Sequence, residues 1–384
     1  MPTMTDVVFT YSLEMFEDTV NREFCRPPDQ TLLALARDER VDNLLVADPW
    51  RSYPASVARG RRTRLTEPLT IGGRSAFRVR PHRARTADPT GIGAVERAYR
   101  AYSDLLGRAL GRVRGERLPA PKSAALVTYH PFVAAFCDAP WISRIVYFGQ
   151  DDWATGEGVR PWWPVFREAY QVMDERKVAM FAVSEELATR MSPRVTVVPN
   201  GVDPDVWRSH HPAPPRIAEL PGPRAIYTGT IDDRLERDLV RATAARVGSL
   251  IMIGHHGDPG TVRWLRTLDG VHVFDSVGQR ELAATVQACD VGVIPHRDQA
   301  GIRAMSPLKL YEYLAAGLPV LSVDNPPVRG VDDERVLLRG PEDWATALAK
   351  AVVMGRAGEE RRLRFLDEVS WQRRMRPVVD AAID

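Results

Sequence analysis

The chain has 384 residues, of which 44% are hydrophobic and 27% are charged. This composition excludes disordered and fibrous proteins and predicts a soluble globular protein of two or three domains. No apolar run approaches the roughly 18 residues of a membrane span, and the N-terminus lacks a basic signal-peptide region. We therefore expect a cytoplasmic protein. The three cysteines, Cys25, Cys137 and Cys289, are too far apart to indicate a disulfide framework or a zinc site.

The net charge of +2 is unevenly distributed along the chain. Residues 51–122 contain sixteen arginines and one lysine against five acidic residues. Nucleic-acid binding needs such a basic segment, but this one has no aromatic platform for single strands and no helix-turn-helix. We therefore predict no nucleic-acid partner, and solvated arginines are the simpler interpretation.

Short apolar runs rich in Val and Ile alternate with longer amphipathic stretches, which is typical of strands and helices around parallel sheets. The predicted strands of the first half are Val7–Thr10, Asn43–Val46, Ala124–Tyr129, Ile145–Phe148, Ala179–Val183 and Val195–Val198. Those of the second half are Ala225–Tyr227, Leu250–Ile253, Val271–Phe274, Val291–Ile294 and Val320–Val323. The pattern predicts two doubly wound α/β domains.

Residues 94–113 are predicted to form an amphipathic helix with an apolar stripe and a basic opposite face. Arg97, Arg100, Arg108 and Arg112 lie on that basic face. Two interpretations remain open. The helix packs on its own domain with its arginines in water, or it makes a peripheral contact with an anionic membrane surface.

Six prolines between Pro204 and Pro223 predict a linker between the two domains. The predicted organisation is an N-terminal domain over residues 1–200, a linker over 201–223 and a C-terminal domain over 224–369. A last helix over 370–384 returns to the first domain.

Several common catalytic motifs are absent from the sequence. There is no Walker loop, GxGxxG, GxSxG or HExxH, so ATPase, dehydrogenase, serine-hydrolase and zincin interpretations are disfavoured. The sequence DPD at 203–205 fits a metal-binding DxD pattern, but it lies in the predicted linker. We therefore predict no metal site.

The most informative segment is residues 291–324, VGVIPHRDQAGIRAMSPLKLYEYLAAGLPVLSVD. A buried strand is followed by a loop, and Ser306 and Pro307 are predicted as the N-cap and first residue of a helix. Free N–H groups at Leu308, Lys309 and Leu310 would then form an anion site at the carboxyl end of the sheet. An ordinary capped helix is the alternative.

This segment resembles the donor-binding motif of glycosyltransferase family 4, in the PLKxxEYLAxGxPV variant of teichuronic-acid and exopolysaccharide transferases. Further matches are VTVVPNGVDPDVW at 195–207, AIYTGTIDDRLERDLV at 225–240, VSWQRRM at 369–375 and VYFGQDDW at 146–153. The resemblance covers residues from about 145 to the end of the chain. It implies a GT-B fold, in which two Rossmann-like doubly wound domains face a cleft.

The resemblance also implies roles for individual residues. It assigns Ser306, Pro307, Leu308, Lys309 and Arg234 to the donor diphosphate and Glu312 to the ribose hydroxyls. Gly229, Gly254 and Val273 fall where the family holds other parts of the donor. Arg234 could equally be a surface arginine. Family members often carry a glutamate at the position of Ala304, so this chain departs from the pattern there.

On the acceptor side, Asp151 and Asp152 are candidates for contacting the acceptor hydroxyl as base or orienting group. Paired aspartates after a strand are also common turn formers. Trp153, Trp162 and Trp163 follow, either to stack on an acceptor or as core aromatics.

The resemblance thus implies a retaining, metal-independent glycosyltransferase, with a nucleotide diphosphate sugar as donor substrate and no separate cofactor. The expected acceptor is a carbohydrate or lipid-linked sugar of cell-envelope or exopolysaccharide synthesis. Two alternatives stay open: a small natural product as acceptor, or a catalytically inactive GT-B subunit that binds a partner enzyme.

Overall fold

A computed structural model describes residues 4–58, 66–85 and 88–384. The chain divides into two compact units. Residues 1–199 and 375–384 form the first unit, and residues 200–374 form the second. None of the helices in the described ranges is long and apolar enough to span a bilayer.

The first unit alternates strands and helices from its start. In chain order its elements are β1 (Thr5–Thr10), α1 (Phe16–Asn21), α2 (Pro27–Arg37), β2 (Val41–Ala47), β3 (Arg51–Ser52), α3 (Tyr53–Ala58), β4 (Thr66–Ile71), β5 (Arg74–Val79), β6 (His82–Arg83), α4 (Ile92–Arg114), β7 (Ala124–Thr128), α5 (Pro131–Phe136), β8 (Ile142–Gly149), a 3-10 helix (Glu157–Trp162), α6 (Trp163–Glu175), β9 (Ala179–Ala182), α7 (Glu185–Met191) and β10 (Thr196–Val197).

The main sheet of the first unit has the order β10-β9-β8-β7-β1-β2-β5-β4 among the described residues. Its central strands are apolar on both faces, and Val7, Val8 and Phe9 of β1 are fully buried. Strands covered by helices on both faces require such continuous apolar runs, which is why the sequence predicted them correctly. The antiparallel pair β4–β5 at the edge was not predicted.

Helix α4 confirms the predicted amphipathic helix and extends it by a few residues at its N-terminus. Val95, Tyr102 and Leu106 of its apolar stripe are buried. The four arginines of the basic face, Arg97, Arg100, Arg108 and Arg112, are exposed. The helix therefore packs on its own unit through the apolar stripe.

The second unit continues the alternation. Its elements are α8 (Pro204–Trp207), α9 (Pro215–Ala218), β11 (Arg224–Thr228), α10 (Arg237–Ala244), β12 (Ser249–Ile253), α11 (Pro259–Leu265), β13 (Val271–Phe274), α12 (Gln279–Gln287), β14 (Val291–Ile294), α13 (Ala300–Ala304), α14 (Leu308–Ala315), β15 (Val320–Ser322), α15 (Pro326–Arg329), β16 (Val336–Leu338), α16 (Trp344–Met354) and α17 (Glu359–Glu368).

The sheet of the second unit is parallel, in the order β13-β12-β11-β14-β15-β16 for the described residues. Two apolar clusters cover its faces, one including Leu310 and Leu314 of α14 and the other including Trp344 of α16. All five strands predicted for this half are present, and β16 was missed. Helix α18 (Trp371–Ile383) begins in this unit and continues into the first unit from Met375.

The prediction of a linker over residues 201–223 is wrong. Trp207 and Ile217 in this segment are buried in an apolar cluster of the second unit. Pro204 and Pro215 occupy the first turns of α8 and α9, where the missing proline N–H costs nothing. These two prolines therefore start short helices of the second unit.

Candidate active site

The candidate donor site lies where the direction of strand order reverses in the second sheet. Strand β11 pairs with β12 on one side and with β14 on the other. Open α/β sheets bind ligands at the carboxyl ends of strands at such a switch point. Gly229 follows β11 and His296 follows β14, so both lie at this edge.

Helix α14 is held over this edge by one glycine and one tyrosine. A Cβ atom on Gly292 of β14 would lie 2.2 Å from the Tyr313 ring, so only glycine allows the ring to lie on the strand. The Tyr313 hydroxyl accepts a hydrogen bond from the Thr228 N–H at 2.7 Å. These contacts fix the helix relative to the end of β11.

The start of α14 differs from the prediction. The helix begins at Leu308, with Pro307 as the N-cap residue and no side-chain cap. Ser306 is not the cap, because it is bound to Asn200: the Asn200 N–H donates to Ser306 Oγ at 3.3 Å, and Asn200 Nδ2 donates to its carbonyl oxygen at 2.5 Å. The Leu310 N–H bonds Pro307 O at 3.1 Å, so it does not belong to the anion site.

Lys309 is the central charge of the candidate site. Its side chain is 8% exposed, and Nζ lies 4.7 Å from the centre of the Tyr227 ring. A Cβ atom on Gly229, where φ is +128°, would lie 3.1 Å from Nζ. Burial, together with the nearby Arg234, lowers the pKa of Lys309 to about 7.

Arg234 approaches Lys309 from the loop after β11. Its Nη2 donates to Asp232 Oδ2 at 2.8 Å and its Nε to Asp232 Oδ1 at 3.0 Å. Burial opposes the charged form, but these hydrogen bonds raise the pKa of Arg234 above its usual range. Burial and the charges of Lys309 and Arg234 lower the pKa of His296 well below its ordinary value, so this imidazole is neutral.

Glu312 lies one turn after Lys309 on α14. Burial raises the pKa of its carboxyl to about 7, and the Lys309 charge acts in the opposite direction. Lys309 is buried and Glu312 is half-buried, so the charged form of each group is less well solvated than in water. A ligand that supplies an anion to Lys309 and hydroxyl donors to Glu312 would favour the charged form of each.

Two other predicted donor residues lie at neighbouring strand ends. Gly254 follows β12 with φ of +154°, and a Cβ atom there would lie 1.9 Å from the Gly229 carbonyl oxygen. The Gly254 N–H bonds Phe274 O at 3.2 Å. Val273 is half-buried on the edge strand β13. Glycine at 254 thus keeps the loops after β11 and β12 in close contact.

The described residues offer no cluster of metal ligands. Over residues 4–58, 66–85 and 88–384, no group of three or more His, Cys, Asp or Glu side chains could hold a metal ion. The DPD at 203–205 begins a helix, since Asp203 Oδ1 accepts the Asp205 N–H at 3.0 Å and Asp203 is the N-cap of α8. This segment is a helix start.

On the acceptor side, Asp152 is occupied by structural contacts. Its side chain is 3% exposed, Oδ1 accepts the Ala154 N–H at 3.0 Å, and Oδ2 pairs with Arg190 Nη1 at 2.8 Å. This geometry favours the turn-forming alternative for Asp152. Asp151 is exposed beside it.

The three tryptophans that follow also have structural contacts. Trp153 packs on Phe166 with ring centres 5.3 Å apart. The indole N–H groups of Trp162 and Trp163 donate to the backbone carbonyl oxygens of Pro89 and Gly156 at 3.0 and 2.9 Å. Trp153 is buried, which favours its core interpretation, whereas Trp162 and Trp163 are only half-buried.

Sequence reasoning missed Tyr227, His296 and Tyr313 as parts of the site. The Tyr227 hydroxyl donates to Thr230 O at 3.0 Å and lies 3.2 Å from His296 Nε2. Tyr227 ends the β11 run and His296 follows the β14 run, so their positions at strand ends were the available signal. Their proximity depends on the pairing of β11 with β14.

Comparison with known proteins finds a family match and similar proteins. Residues 224–354 match the family described as glycosyl transferases group 1. The matched residues lie within the second unit. TuaH of Bacillus subtilis (strain 168), described as a teichuronic acid biosynthesis glycosyltransferase, is 27% identical over 178 residues. That match covers 44% of this chain and 44% of TuaH, so the chain matches less than half the length of this curated relative.

Solved structures identify the fold of the whole chain. An α,α-trehalose-phosphate synthase (UDP-forming) from Burkholderia vietnamiensis matches with a TM-score of 0.59 at 15% identity, over 99% of this chain and 98% of that one. A UDP-N-acetylglucosamine 2-epimerase from Listeria monocytogenes matches with a TM-score of 0.57 at 9% identity, over 99% and 96%. The fold is GT-B. Since both a synthase and an epimerase carry it, the fold alone does not decide the reaction.

Proposed function

We propose that this chain is a retaining, metal-independent glycosyltransferase that moves a sugar from a nucleotide diphosphate sugar to an acceptor hydroxyl. The observation that carries this proposal is the buried ammonium of Lys309, 8% exposed at the start of α14 and beside Gly229. Burying a lysine lowers the stability of the charged form. At the carboxyl edge of a parallel sheet, an anionic ligand offsets that cost.

The proposed donor contacts combine the positions of these residues with the roles that the resemblance implies. The diphosphate is bound at the start of α14 by the N–H groups of Leu308 and Lys309, by the Lys309 side chain and by Arg234. Glu312 accepts hydrogen bonds from the ribose hydroxyls. Gly229 and Gly254 allow the donor to approach the backbone, and the nucleoside lies toward Val273 on the edge strand.

The proposed chemistry is one displacement on one face of the donor sugar. The bond between the anomeric carbon and the diphosphate oxygen breaks, and a bond to the acceptor oxygen forms on the same face. The departing phosphate oxygen takes the acceptor proton. Lys309 and Arg234 stabilise the negative charge that develops on the diphosphate, so they supply the positive charge for which other transferases use a metal.

The acceptor is proposed to belong to cell-envelope glycan or exopolysaccharide synthesis, in the cytoplasm, on the strength of the likeness to TuaH. The exposed arginines of α4 are compatible with a peripheral contact to an anionic membrane. A small natural product remains the alternative acceptor, and an inactive GT-B subunit the alternative function.

A thermal-shift panel of UDP-, GDP-, ADP- and dTDP-sugars tests the donor site. A donor at 100 times its dissociation constant stabilises the protein by about 2.7 kcal/mol. We expect one class to do so, Lys309→Met to abolish the shift, and the exposed Lys350→Met to leave it unchanged. If no nucleotide stabilises the protein, or Lys309→Met behaves like Lys350→Met, the proposal fails. Binding without donor-dependent release of nucleoside diphosphate supports the inactive subunit.

A further inference from the structure

The first unit contains a cavity of about 500 Å³ at the amino-terminal edge of its main sheet. Residues 142–145 line it at the start of β8, and residues 178–179 line it at the start of the neighbouring parallel strand β9. Open α/β sheets bind their substrates at the opposite edge, beyond the carboxyl ends of the strands. The eight residues of β8 separate the two edges by about 23 Å. The cavity is therefore remote from the substrate edge of this sheet.

Three further segments of the first unit complete this cavity. Asp138 and Ala139 belong to the loop before β8, Arg176 and Lys177 follow α6, and Ala381 lies on α18 in the part of that helix that belongs to the first unit. The volume falls within the roughly 300–1,000 Å³ that is typical of small-molecule sites. The cavity therefore has room for a small organic molecule.

The charged side chains of the lining carry a surplus of positive charge. Arg144, Arg176 and Lys177 line the cavity together with Asp138. The Asp138 side chain is 69% exposed, and its Oδ1 lies 3.9 Å from Arg176 Nη2, so this ion pair is weak. Three cations against one carboxylate leave the described lining with a net charge of +2.

Two of these cations are not neutralised by the protein itself. Among residues 4–58, 66–85 and 88–384, the half-buried side chain of Arg144 has no hydrogen bond or ion pair. The exposed side chain of Lys177 has none to the same residues either. A half-buried guanidinium has lost part of its contact with water, so an anion that accepts its hydrogen bonds stabilises it.

Arg176, by contrast, is already held in place. Its Nη1 donates to the carbonyl oxygens of Ala135 and Cys137, the latter at 3.1 Å, and these groups lie at the end of α5. Its Nη2 makes no hydrogen bond to a residue that the structure describes. The guanidinium is therefore positioned before a ligand binds, which lowers the entropy that binding costs.

Apolar side chains form the rest of the lining. Ile142, Val178 and Ala381 are half-buried, and Ala139 and Ile145 are each 8% exposed. An inorganic ion would leave the exposed part of this apolar surface in water. An organic group attached to the anion would bury it, which favours binding.

We propose that this cavity binds a soluble phosphate monoester, with its phosphate on Arg144, Arg176 and Lys177 and its organic group on the apolar side chains. A phosphate monoester carries a charge of about −1.5 to −2 at pH 7, which matches the net charge of the lining, whereas one carboxylate neutralises half of it. Planar guanidinium groups are well suited to phosphate oxygens. The ligand differs from the donor and the acceptor of the proposed reaction, and the inference does not depend on that reaction.

Calorimetric titration of the full chain tests this proposal, with phenyl phosphate, inorganic phosphate and phenol as probes. We expect phenyl phosphate to bind at least tenfold more tightly than either of the other two. Arg144→Gln should weaken phenyl phosphate at least tenfold, while Arg117→Gln, at an exposed arginine of the same unit, should change its affinity by less than twofold. Lys309→Met removes a proposed donor contact and should also leave phenyl phosphate binding within twofold.

Two other variants cover the case in which Arg144→Gln fails to fold. Ala381→Leu narrows the cavity without changing its charge and should weaken phenyl phosphate at least tenfold. Lys177→Asn removes one charge at a position with φ of +55°, which asparagine tolerates. This variant should weaken phenyl phosphate and inorganic phosphate alike.

Equal phenyl phosphate binding by Arg144→Gln and Arg117→Gln in folded protein overturns the proposal, and so does full binding by Ala381→Leu. Loss of binding in Lys309→Met overturns it as well, because the phosphate would then occupy the donor site. Inorganic phosphate that binds as tightly as phenyl phosphate refutes the organic ligand. A chain that binds a nucleotide sugar but not phenyl phosphate refutes only this inference, and the reverse result refutes only the proposed transferase.

Discussion

The pKa of Lys309 predicts how donor affinity depends on pH. Burial lowers this pKa to about 7. A bound diphosphate stabilises the ammonium and raises the pKa back toward its ordinary value near 10.5. Donor binding at a pH between these two pKa values is therefore accompanied by the uptake of a proton. Above pH 7 the dissociation constant should rise toward tenfold for each pH unit, which is about 1.4 kcal/mol of binding free energy.

Calorimetry with the identified nucleotide diphosphate sugar at pH 7.5, 8.0, 8.5 and 9.0 measures this linkage. Two buffers with different ionisation enthalpies give the number of protons taken up, which should approach one near pH 8.5. The donor sugar is preferable to the free nucleoside diphosphate, whose terminal phosphate titrates near pH 6.

A matched pair of variants assigns the proton to its residue. Lys309→Arg keeps its charge at every pH of the experiment, so it should bind more weakly at pH 7.5 but lose both the slope and the proton uptake. Lys350→Arg, at an exposed lysine of the same unit, should keep both.

Glu312 predicts the opposite pH dependence of donor affinity at lower pH. Burial raises the pKa of its carboxyl to about 7, and ribose hydroxyls that donate to the carboxylate lower it on binding. Donor affinity should therefore fall as the pH decreases below 6.5, with release of a proton. Glu312→Gln should remove the loss of donor affinity below pH 6.5 and leave the loss of affinity above pH 7. A donor affinity that is constant from pH 5.5 to 9 would refute direct contact between Lys309 and the diphosphate. A loss of affinity above pH 7 that persists in Lys309→Arg would refute it as well.

Four further outcomes are expected. Gly254→Ala places a Cβ atom 1.9 Å from the Gly229 carbonyl oxygen. Urea unfolding should therefore show a free energy of unfolding lower by about 1–3 kcal/mol, and the stabilisation by donor should disappear. An unchanged free energy of unfolding would mean that the loop relaxes freely. Asp152→Asn should lose about 1–3 kcal/mol of stability, because it weakens a buried hydrogen-bonded ion pair, with turnover within threefold; a 100-fold slower but equally stable variant would restore its catalytic role. A chelator should change turnover by less than twofold, because Lys309 already supplies positive charge at the diphosphate; a metal requirement in pure enzyme would contradict this. Ala304→Glu introduces a carboxylate at a site that is 2% exposed and should lower the melting temperature without raising turnover; a gain in kcat/KM would show that residue 304 faces the donor sugar.

The strands that the sequence predicted best are those buried on both faces. The apolar run of β1 needs no partner information to be recognised, because continuous Val and Phe residues are typical of a buried parallel strand. The β4–β5 pair was missed because it mixes Arg, Thr and Pro with few apolar residues. Gly72 and Gly73 join the two strands with φ of +56° and +85°. A glycine pair between two short runs was the available signal for this hairpin.

Proline density misled the prediction of the linker for a different reason. A proline excludes a helix interior or a central strand, but it is acceptable in the first turn of a helix. Pro204 and Pro215 both use that exception. The buried Trp207 was the contrary signal, since a large aromatic residue is rarely left in an exposed linker.

The candidate donor site was only partly predictable because its residues come from strands far apart in sequence. Lys309 and Glu312 could be recognised on one helix, and Arg234 followed from the resemblance. Tyr227 and His296, by contrast, are 69 residues apart. They meet because β11 and β14 are neighbours in the sheet. Spacing along the chain cannot show that β11 and β14 are neighbours. They are neighbours because the strand order reverses at β11.

The anchoring of α14 explains why a lysine can serve at this position. Gly292 and the Tyr313 hydroxyl hold the helix against the sheet, so Lys309 stays buried over the Tyr227 ring. A lysine tolerates this burial because it can lose its proton near pH 7 and regain it when an anion arrives. An arginine would stay charged next to Arg234 and would destabilise the protein before a donor binds. The same burial that lowers the stability of the free ammonium therefore strengthens its interaction with a bound diphosphate.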